Sequence, residues 1–330
     1  MASIPPFTVS PQETGHTLAK VLRSRMGGPS WTEVRKLIAA RRVKVGDSIC
    51  SDDARRLNEN EVVVLLEHPR PLPRVAHPDR LIVRHLDEHL VVVEKPAGVN
   101  TVRHPAELEW SEQRRQLDPT LEDLTQWSIA RQLDRPAREL SRLRIVHRLD
   151  KETSGLLVFA RSVLAERELG LQFRKHTVVR RYLSVVPGIL SSQTIKSNLV
   201  PDRGDGRRGS TQLRDVGKEA ITHVTIEERL PGYTLLSCRL ETGRTHQIRI
   251  HLAEAGHPVC GDPVYVRKPN GEVIEDRSQA PRLALHATEL GFEHPAHNEH
   301  LHWSMPLPGD LQKFVDNLRG KKTQESADLK

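Results

Sequence analysis

The sequence predicts an α+β protein: a large domain built on a mixed, mainly antiparallel sheet, preceded by a small α+β module. Three observations predict it. Strand-like runs meet across short turns, at Asp87-Glu88 and Pro231-Gly232, where a doubly wound parallel sheet would need a helix between each pair. Two helical patterns open the chain, and short strands follow them. A stretch holding four prolines, HPRPLPRVAHPDR (68–80), reads as a stiff linker between the two parts.

Taken in order, residues 1–13 are expected to be an N-terminal extension and 14–67 the small module. Leu18, Val21 and Leu22 fall at helical spacing, Pro29-Ser30 breaks the pattern, and Val34, Leu37 and Ile38 resume it. VKVGDSIC and EVVVLLE read as short strands. The second helix carries Arg35, Lys36, Arg41 and Arg42, a basic set that either clamps a phosphate backbone or forms a solvated helical face. The larger domain is expected over 81–315, with a polar tail at 316–330. It begins with LIVRHLDEHLVVVEKPAGV, a hairpin ending in the turn Lys95-Pro96-Ala97-Gly98. Residues 105–142 read as a long polar loop around one helix, TLEDLTQWSIARQL. GLLVFAR is a strand, Val163 to Lys175 a helix, and TVVRRYLSVVPG a strand. PDRGDGRRGSTQLRDVGKEA is a Gly- and Arg-rich loop, and AITHVTIEERL and YTLLSCRLET alternate like antiparallel neighbours.

Lys+Arg total 50 against 43 Asp+Glu, a formal charge of +7 that favours a polyanionic partner. Aromatic residues make up only 4%, which argues against a stacking sheet for single-stranded RNA. The three cysteines, Cys50, Cys238 and Cys260, form no C-x-x-C pair, so neither a disulfide framework nor a zinc ribbon is supported. The N-terminus lacks a basic segment followed by an apolar one, and no apolar run reaches the ~18 residues of a membrane span. A soluble, cytoplasmic monomer without membrane contact is expected.

Several motifs fail on inspection. His147-Arg148 with a nearby acid has the look of a kinase catalytic loop, but Leu149 intrudes and position 155 is Gly instead of Asn. Gly204 to Gly209 followed by Ser210-Thr211 has phosphate-loop spacing without the lysine. His246 and His251 are five apart, which does not place both on one helical face, and no metal site is expected.

Three separated stretches remain: EKPAGVNTVRHP (94–105), IVHRLDKETSGLLVFARS (145–162) and LETGRTHQIRIHLAEAGHPVCGDPVY (240–265). With RLALHATELGFEHP (282–295) as a closing segment, their joint occurrence resembles the RluA-type pseudouridine synthases, which modify ribosomal and sometimes transfer RNA. The resemblance covers nearly all of 81–310 and implies the pseudouridine synthase fold, with neither metal nor organic cofactor. Residues 14–67 are similar to a small αL-type RNA-binding module first known from a ribosomal protein, although its usual Val-Asn-Gly turn reads Val45-Gly46-Asp47. The loop before the catalytic motif also departs, reading Arg142-Leu143-Arg144-Ile145-Val146 where the family has Arg-Pro-Gly-Ile-Val.

By this resemblance Asp150 is the reacting carboxylate, which would attack the sugar's anomeric carbon or stabilise an oxocarbenium-like state. Mounted at a rigid strand edge, it would be held in place for that chemistry. Burial would push such an acid toward its neutral form, and Arg249 is the partner implied to oppose that, on a helix capped by Thr245 and stopped by Gly256. Tyr182 is implied to stack on the uracil, the alternative being a half-buried strand tyrosine. Arg148 would fill the space left by an everted base, and Leu285 is either a pocket wall or a core leucine. Lys95 and Arg244 are structural or phosphate-binding. The expected activity is uridine-to-pseudouridine isomerisation, with large-subunit ribosomal RNA as substrate. The alternatives are the same reaction on tRNA, a non-catalytic ribosome-assembly factor, or a nucleoside hydrolase.

Overall fold

The seven residues of Ser154–Ala160 are all buried, because alternate side chains of this one strand feed two different cores. Leu157 and Phe159 enter the main apolar cluster, while Leu156, Val158 and Ala160 enter a second on the opposite face. A strand covered on both faces loses the polar-apolar alternation, which explains the unbroken run GLLVFA.

The computed structural model describes residues 4–40, 42–46, 48–50, 53, 55–67, 81–103, 107, 110, 115–116, 118–202, 208–213, 215–266 and 276–320. The expected linker 68–80, Arg41 and most of the phosphate-loop decoy lie outside them. The chain divides into two units, Met1–Arg74 and Val75–Lys330.

In the first unit, β1 (Phe7–Thr8), β2 (Val43–Val45), β3 (Ser48–Ile49) and β4 (Val62–Leu65) form an antiparallel sheet in the order β1-β4-β2-β3. Helices α1 (Leu18–Arg25) and α2 (Trp31–Ala39) bury Leu18, Val21, Leu22, Val34, Leu37 and Ile38 in its core. Ser30 and Glu33 close a reciprocal capping box on α2, which fixes the break expected at Pro29-Ser30. Gly46 takes φ +59 at the β2–β3 turn, so the glycine of the altered Val45-Gly46-Asp47 supplies the left-handed residue. One expectation is corrected. Residues 1–13 are not a mere extension, since β1 pairs with β4 and Val9 is buried in the core.

The second unit holds an eleven-stranded sheet: β5 (Val83–Leu86), β6 (Leu90–Lys95), β7 (Arg144–Ile145), β8 (Ser154–Ala160), β9 (Val179–Pro187), β10 (Gln193–Val200), β11 (Gly209–Thr211), β12 (Lys218–Leu230), β13 (Tyr233–Leu240), β14 (Leu285–Glu293) and β15 (His300–Ser304). Its path runs β11-β10-β12-β13-β9-β14-β8-β6-β5, with β15 on β14 and β7 on β8. Pairing is antiparallel except between β8 and β14. At that parallel contact Gly155 adopts φ +127, and a Cβ there would lie 2.2 Å from the Ala287 carbonyl oxygen. Only glycine allows the two strands to meet so closely.

Helices α3 (Leu121–Gln132), α4 (Val163–Arg174), α5 (Gln247–Glu254) and α6 (Gly309–Gly320) complete the unit. The Gly- and Arg-rich segment contains the short strand β11, which adds to β10 at the sheet edge. The polar tail expected at 316–330 is corrected, because α6 runs through Gly320. Leu311, Phe314, Val315 and Leu318 sit at helical spacing and are buried against the main core.

Candidate active site

Asp150 lies four residues before β8, in the segment that leads into the strand, and not on the strand edge itself. Its position is nevertheless fixed, because the preceding hairpin turn clamps the loop. Lys95, 2% exposed at the end of β6, donates to the carbonyl oxygens of Pro96 (3.0 Å), Lys151 (2.9 Å) and Thr153 (2.8 Å). The Gly98 amide donates to the Lys151 carbonyl at 2.8 Å, and Thr101 Oγ1 donates to the Leu149 carbonyl at 2.7 Å. Burial pushes the Lys95 amine down to about 7. The three carbonyls work against that, since only the ammonium has three hydrogens to give. Lys95 is thereby corrected: a side chain this buried, with its donors used internally, is placed to hold the Asp150 loop and not to meet RNA.

The Asp150 carboxylate opens onto a cleft of about 610 Å³ whose walls include Arg148, Tyr182, Arg244, His246, Arg249 and Leu285. Arg249, on α5 and 4% exposed, reaches Asp150 Oδ2 with Nη1 at 3.5 Å. Its closer partner is Asp262. The fully buried Asp262 carboxylate accepts from Arg249 Nε at 2.7 Å and from Nη2 at 2.8 Å, a bidentate grip. Asp262 Oδ1 also accepts from the amides of Val264 (2.8 Å) and Tyr265 (3.1 Å). The guanidinium is therefore aimed from behind. Burial pulls Arg249 down, and Asp262 and Asp150 more than restore it, for a net rise.

Thr245 does not cap α5. His246 occupies the N-cap position in the left-handed region, φ 58, without a side-chain cap bond. The Gln247 side chain instead ties together the turn that leads into the helix, its Oε1 accepting from Thr242 Oγ1 at 2.8 Å and from the Arg244 amide at 3.0 Å. The left-handed turn carries the His246 ring into the cleft. Its Nδ1 lies 2.8 Å from the Tyr265 hydroxyl and its Nε2 3.9 Å from Asp150 Oδ1. Burial lowers the affinity of this imidazole for a proton, Asp150 opposing.

Tyr182 comes from β9 and Leu285 from β14; both are buried and both line the cleft. Burial raises the Tyr182 phenol, while the neighbouring Arg180 pulls it the other way. Arg148 is exposed in the cleft wall, and Arg244 is exposed with Nε donating to the Glu219 carbonyl at 2.9 Å. His147, next to the cleft, accepts from the Val158 amide at 3.1 Å and stacks on Phe173, and burial pushes it down to about 3. It is a neutral structural histidine.

In the first unit Arg35 and Lys36 are exposed on α2, with Arg35 paired to Asp53 at 3.1 Å. Arg42 is half-buried and turned onto the Leu66 carbonyl at 2.9 Å, so it is not part of an open basic face on that helix. Sequence reasoning missed Asp262, His246, Tyr265 and Arg180 as site residues. Asp262 and Tyr265 stood within GDPVY, and His246 within GRTHQIR, as unassigned letters of quoted motifs.

Among the described residues, His85, Asp87 and His294 bring three ligand-type atoms within 4.8 Å of one another. His294 Nδ1 accepts from the amides of Ala296 and His297, both at 3.1 Å, so its proton resides on Nε2 and points at Asp87 Oδ2, 3.1 Å away. A nitrogen that carries its proton has no lone pair for a cation. The group is a hydrogen-bonded clasp on the β5–β6 turn.

A sequence profile of the family described as RNA pseudouridylate synthase matches residues 89–254, which contain Asp150, Tyr182 and Arg249. An uncharacterized RNA pseudouridine synthase of Bacillus subtilis, YlyB, is 35% identical over 95% of this chain and 97% of its own length. Ribosomal large subunit pseudouridine synthase D of Escherichia coli is 30% identical over 94% of this chain and 93% of its own. The structure of human RNA pseudouridylate synthase domain containing 4 shares the fold with a TM-score of 0.56, at 23% identity, covering 72% of this chain and 92% of that one. A clamped carboxylate beside a guanidinium in an open, basic cleft, on this fold and among these relatives, places the chain in the RNA pseudouridylate synthase family, as an isomerase that converts uridine to pseudouridine.

Proposed function

We propose that the enzyme modifies large-subunit ribosomal RNA in the cytoplasm, with Asp150 as the reacting carboxylate. The observation that carries the reading is the Asp150–Arg249 contact at 3.5 Å within the cleft. The RNA class is supported by the Escherichia coli relative, whose name gives the ribosomal large subunit as its target.

Asp150 meets the anomeric carbon as the bond from C1′ to N1 breaks. Arg249, steadied by Asp262, keeps a positive charge beside that carboxylate and limits its rotation. The uracil, everted from the RNA stack, lies against Tyr182 and Leu285, and Arg148 occupies the place it left. The base turns, and C5 attacks C1′ and forms the C5–C1′ bond as the Asp150 carboxylate is released. The C5 proton is then lost, with Tyr182 as acceptor, and N1 gains one. In the small module, Arg35, Lys36 and Arg41 contribute backbone phosphate contacts.

Purified Asp150→Asn should keep its fold and RNA affinity and release no tritium from RNA labelled at uridine C5. Turnover near that of the unaltered protein would overturn the assignment of Asp150. Pseudouridine mapping of total RNA from cells with and without the protein tests the substrate: sites lost only from tRNA would redirect it.

A further inference from the structure

Among the described residues, one buried cation of the cleft has no carboxylate partner and lies over the Phe173 ring, 5.4 Å from its centroid. Arg180, on β9 and 7% exposed, donates through Nη2 to the carbonyls of Glu241 (3.0 Å) and Leu240 (3.4 Å). Its Nε is buried without any hydrogen-bond partner, and among the described residues no carboxylate pairs with it. Burial works against this cation. A buried, unpaired guanidinium is costly, and such costs persist where a ligand supplies the missing charge. Residue 243 keeps the approach open: a Cβ at Gly243 would lie 2.8 Å from Arg180 Nη1.

The position of Arg180 says which negative charge it meets. Arg180 and Tyr182 are alternate residues of one strand, so their side chains leave the same face, and both line the cleft. Backbone phosphates stay at the outside of an RNA strand, where the exposed Arg244 already stands. The group that enters as deep as Tyr182 is the base. When C1′–N1 breaks, its electron pair leaves with N1, and the negative charge spreads over N1, O2 and O4 of the detached uracil.

We propose that Arg180 is a further catalytic residue, whose Nη1 N–H groups, beside Gly243, bind the uracil anion while it is detached from the ribose. This rests on the reading of the cleft given above. The anion then turns over Tyr182 and is neutralised as its C5 electron pair forms the bond to C1′ and the Asp150 carboxylate is set free; C5 then loses its proton and N1 takes one. A donor aimed at charge that develops only during reaction raises kcat and leaves substrate affinity nearly alone.

The test compares single-turnover rates on uridine RNA and on the same RNA carrying 5-fluorouridine at the target. Fluorine withdraws electrons and makes the detached base a more stable anion, and disappearance of the N-linked nucleoside reports C1′–N1 cleavage. Arg180→Gln should cleave uridine RNA about 100-fold more slowly with RNA affinity within about twofold, and the deficit should shrink at least about tenfold on 5-fluorouridine RNA. Arg180→Lys, which keeps the charge, should stay within about tenfold of the unaltered protein. Equal deficits on both RNAs, a deficit residing in RNA affinity, or a lysine variant as slow as the glutamine one would each overturn the proposal. If Arg180→Gln does not fold, Gly243→Ala decides. Residue 243 is exposed and outside the left-handed region, so alanine there displaces only the guanidinium and should give the same substrate-dependent deficit. An unaltered protein that makes no pseudouridine in ribosomal RNA would fail the parent reading; a working enzyme with no such deficit fails this one alone.

Discussion

Replacing Asp262 by Asn tests whether Arg249 is aimed from behind. The two side chains are nearly equal in volume, so packing is kept and the charge is removed. Asn can keep its oxygen on the amides of Val264 and Tyr265 now served by Asp262 Oδ1. Its amide nitrogen then faces a guanidinium donor where a carboxylate oxygen stood at 2.7 Å. Breaking a buried ion pair by removing one partner costs about 3–5 kcal/mol. The retained amide bonds and the remaining contact to Asp150 place the expected loss near the lower end, about 3 kcal/mol. In a domain of this size that is about 6–12 °C in Tm. Arg249, released from its rear anchor, should swing toward Asp150 and lower kcat about 100-fold with KM little changed. Urea denaturation followed by circular dichroism reads the stability, and tritium release from C5-labelled RNA reads the rate. The double variant with Arg249→Met should be no less stable than Asp262→Asn alone, because no unpaired cation is left behind. Strictly additive losses in that cycle, or Asp262→Asn with full turnover and under about 1 kcal/mol of destabilisation, would refute the reasoning.

Gly155→Ala should cost about 3–5 kcal/mol, combining strain at φ +127 with a methyl forced onto the Ala287 backbone, and a Tm shift under a few degrees would contradict the close β8–β14 approach. Acid should destabilise the protein. Burial lowers His147 to about 3 and His251 and His286 to about 4, so between those values and 6.5 the unfolded chain binds protons that the folded one refuses. Their contribution is fully present above pH 6.5 and is lost as the pH falls, by about 2 kcal/mol per histidine on going to pH 5; equal urea midpoints at pH 7 and pH 5 would exclude it. Charge reversal at Arg35 and Lys36 together should weaken RNA binding and flatten its salt dependence by about two phosphate contacts, as measured by filter binding from low to high salt. An unchanged slope would remove that helix from the RNA-binding surface.

The sequence by itself determined much of this protein. Apolar spacing at Leu18, Val21 and Leu22 gave the first helix, the GLLVFA run marked a strand, and the joint motifs singled out Asp150, Tyr182, Arg249 and Leu285, which the fold brings to one cleft. Those signals are local, or are carried by whole motifs. What only the tertiary structure decided is who partners whom. Arg249 was assigned to Asp150 alone, yet its short bonds go to Asp262. Lys95 stood between a structural and a phosphate-binding role until the carbonyl of Pro96 and those of Lys151 and Thr153, beside Asp150, claimed it. Thr245 has the better capping chemistry, but the left-handed turn at His246 delivers the ring to the cleft and leaves the helix without a side-chain cap. Arg180 differs from any strand arginine only in what is missing around it. Propensity and periodicity act over a few residues, whereas a charge feels whatever folding brings within a few ångströms, here residues as far apart in sequence as 150 and 249.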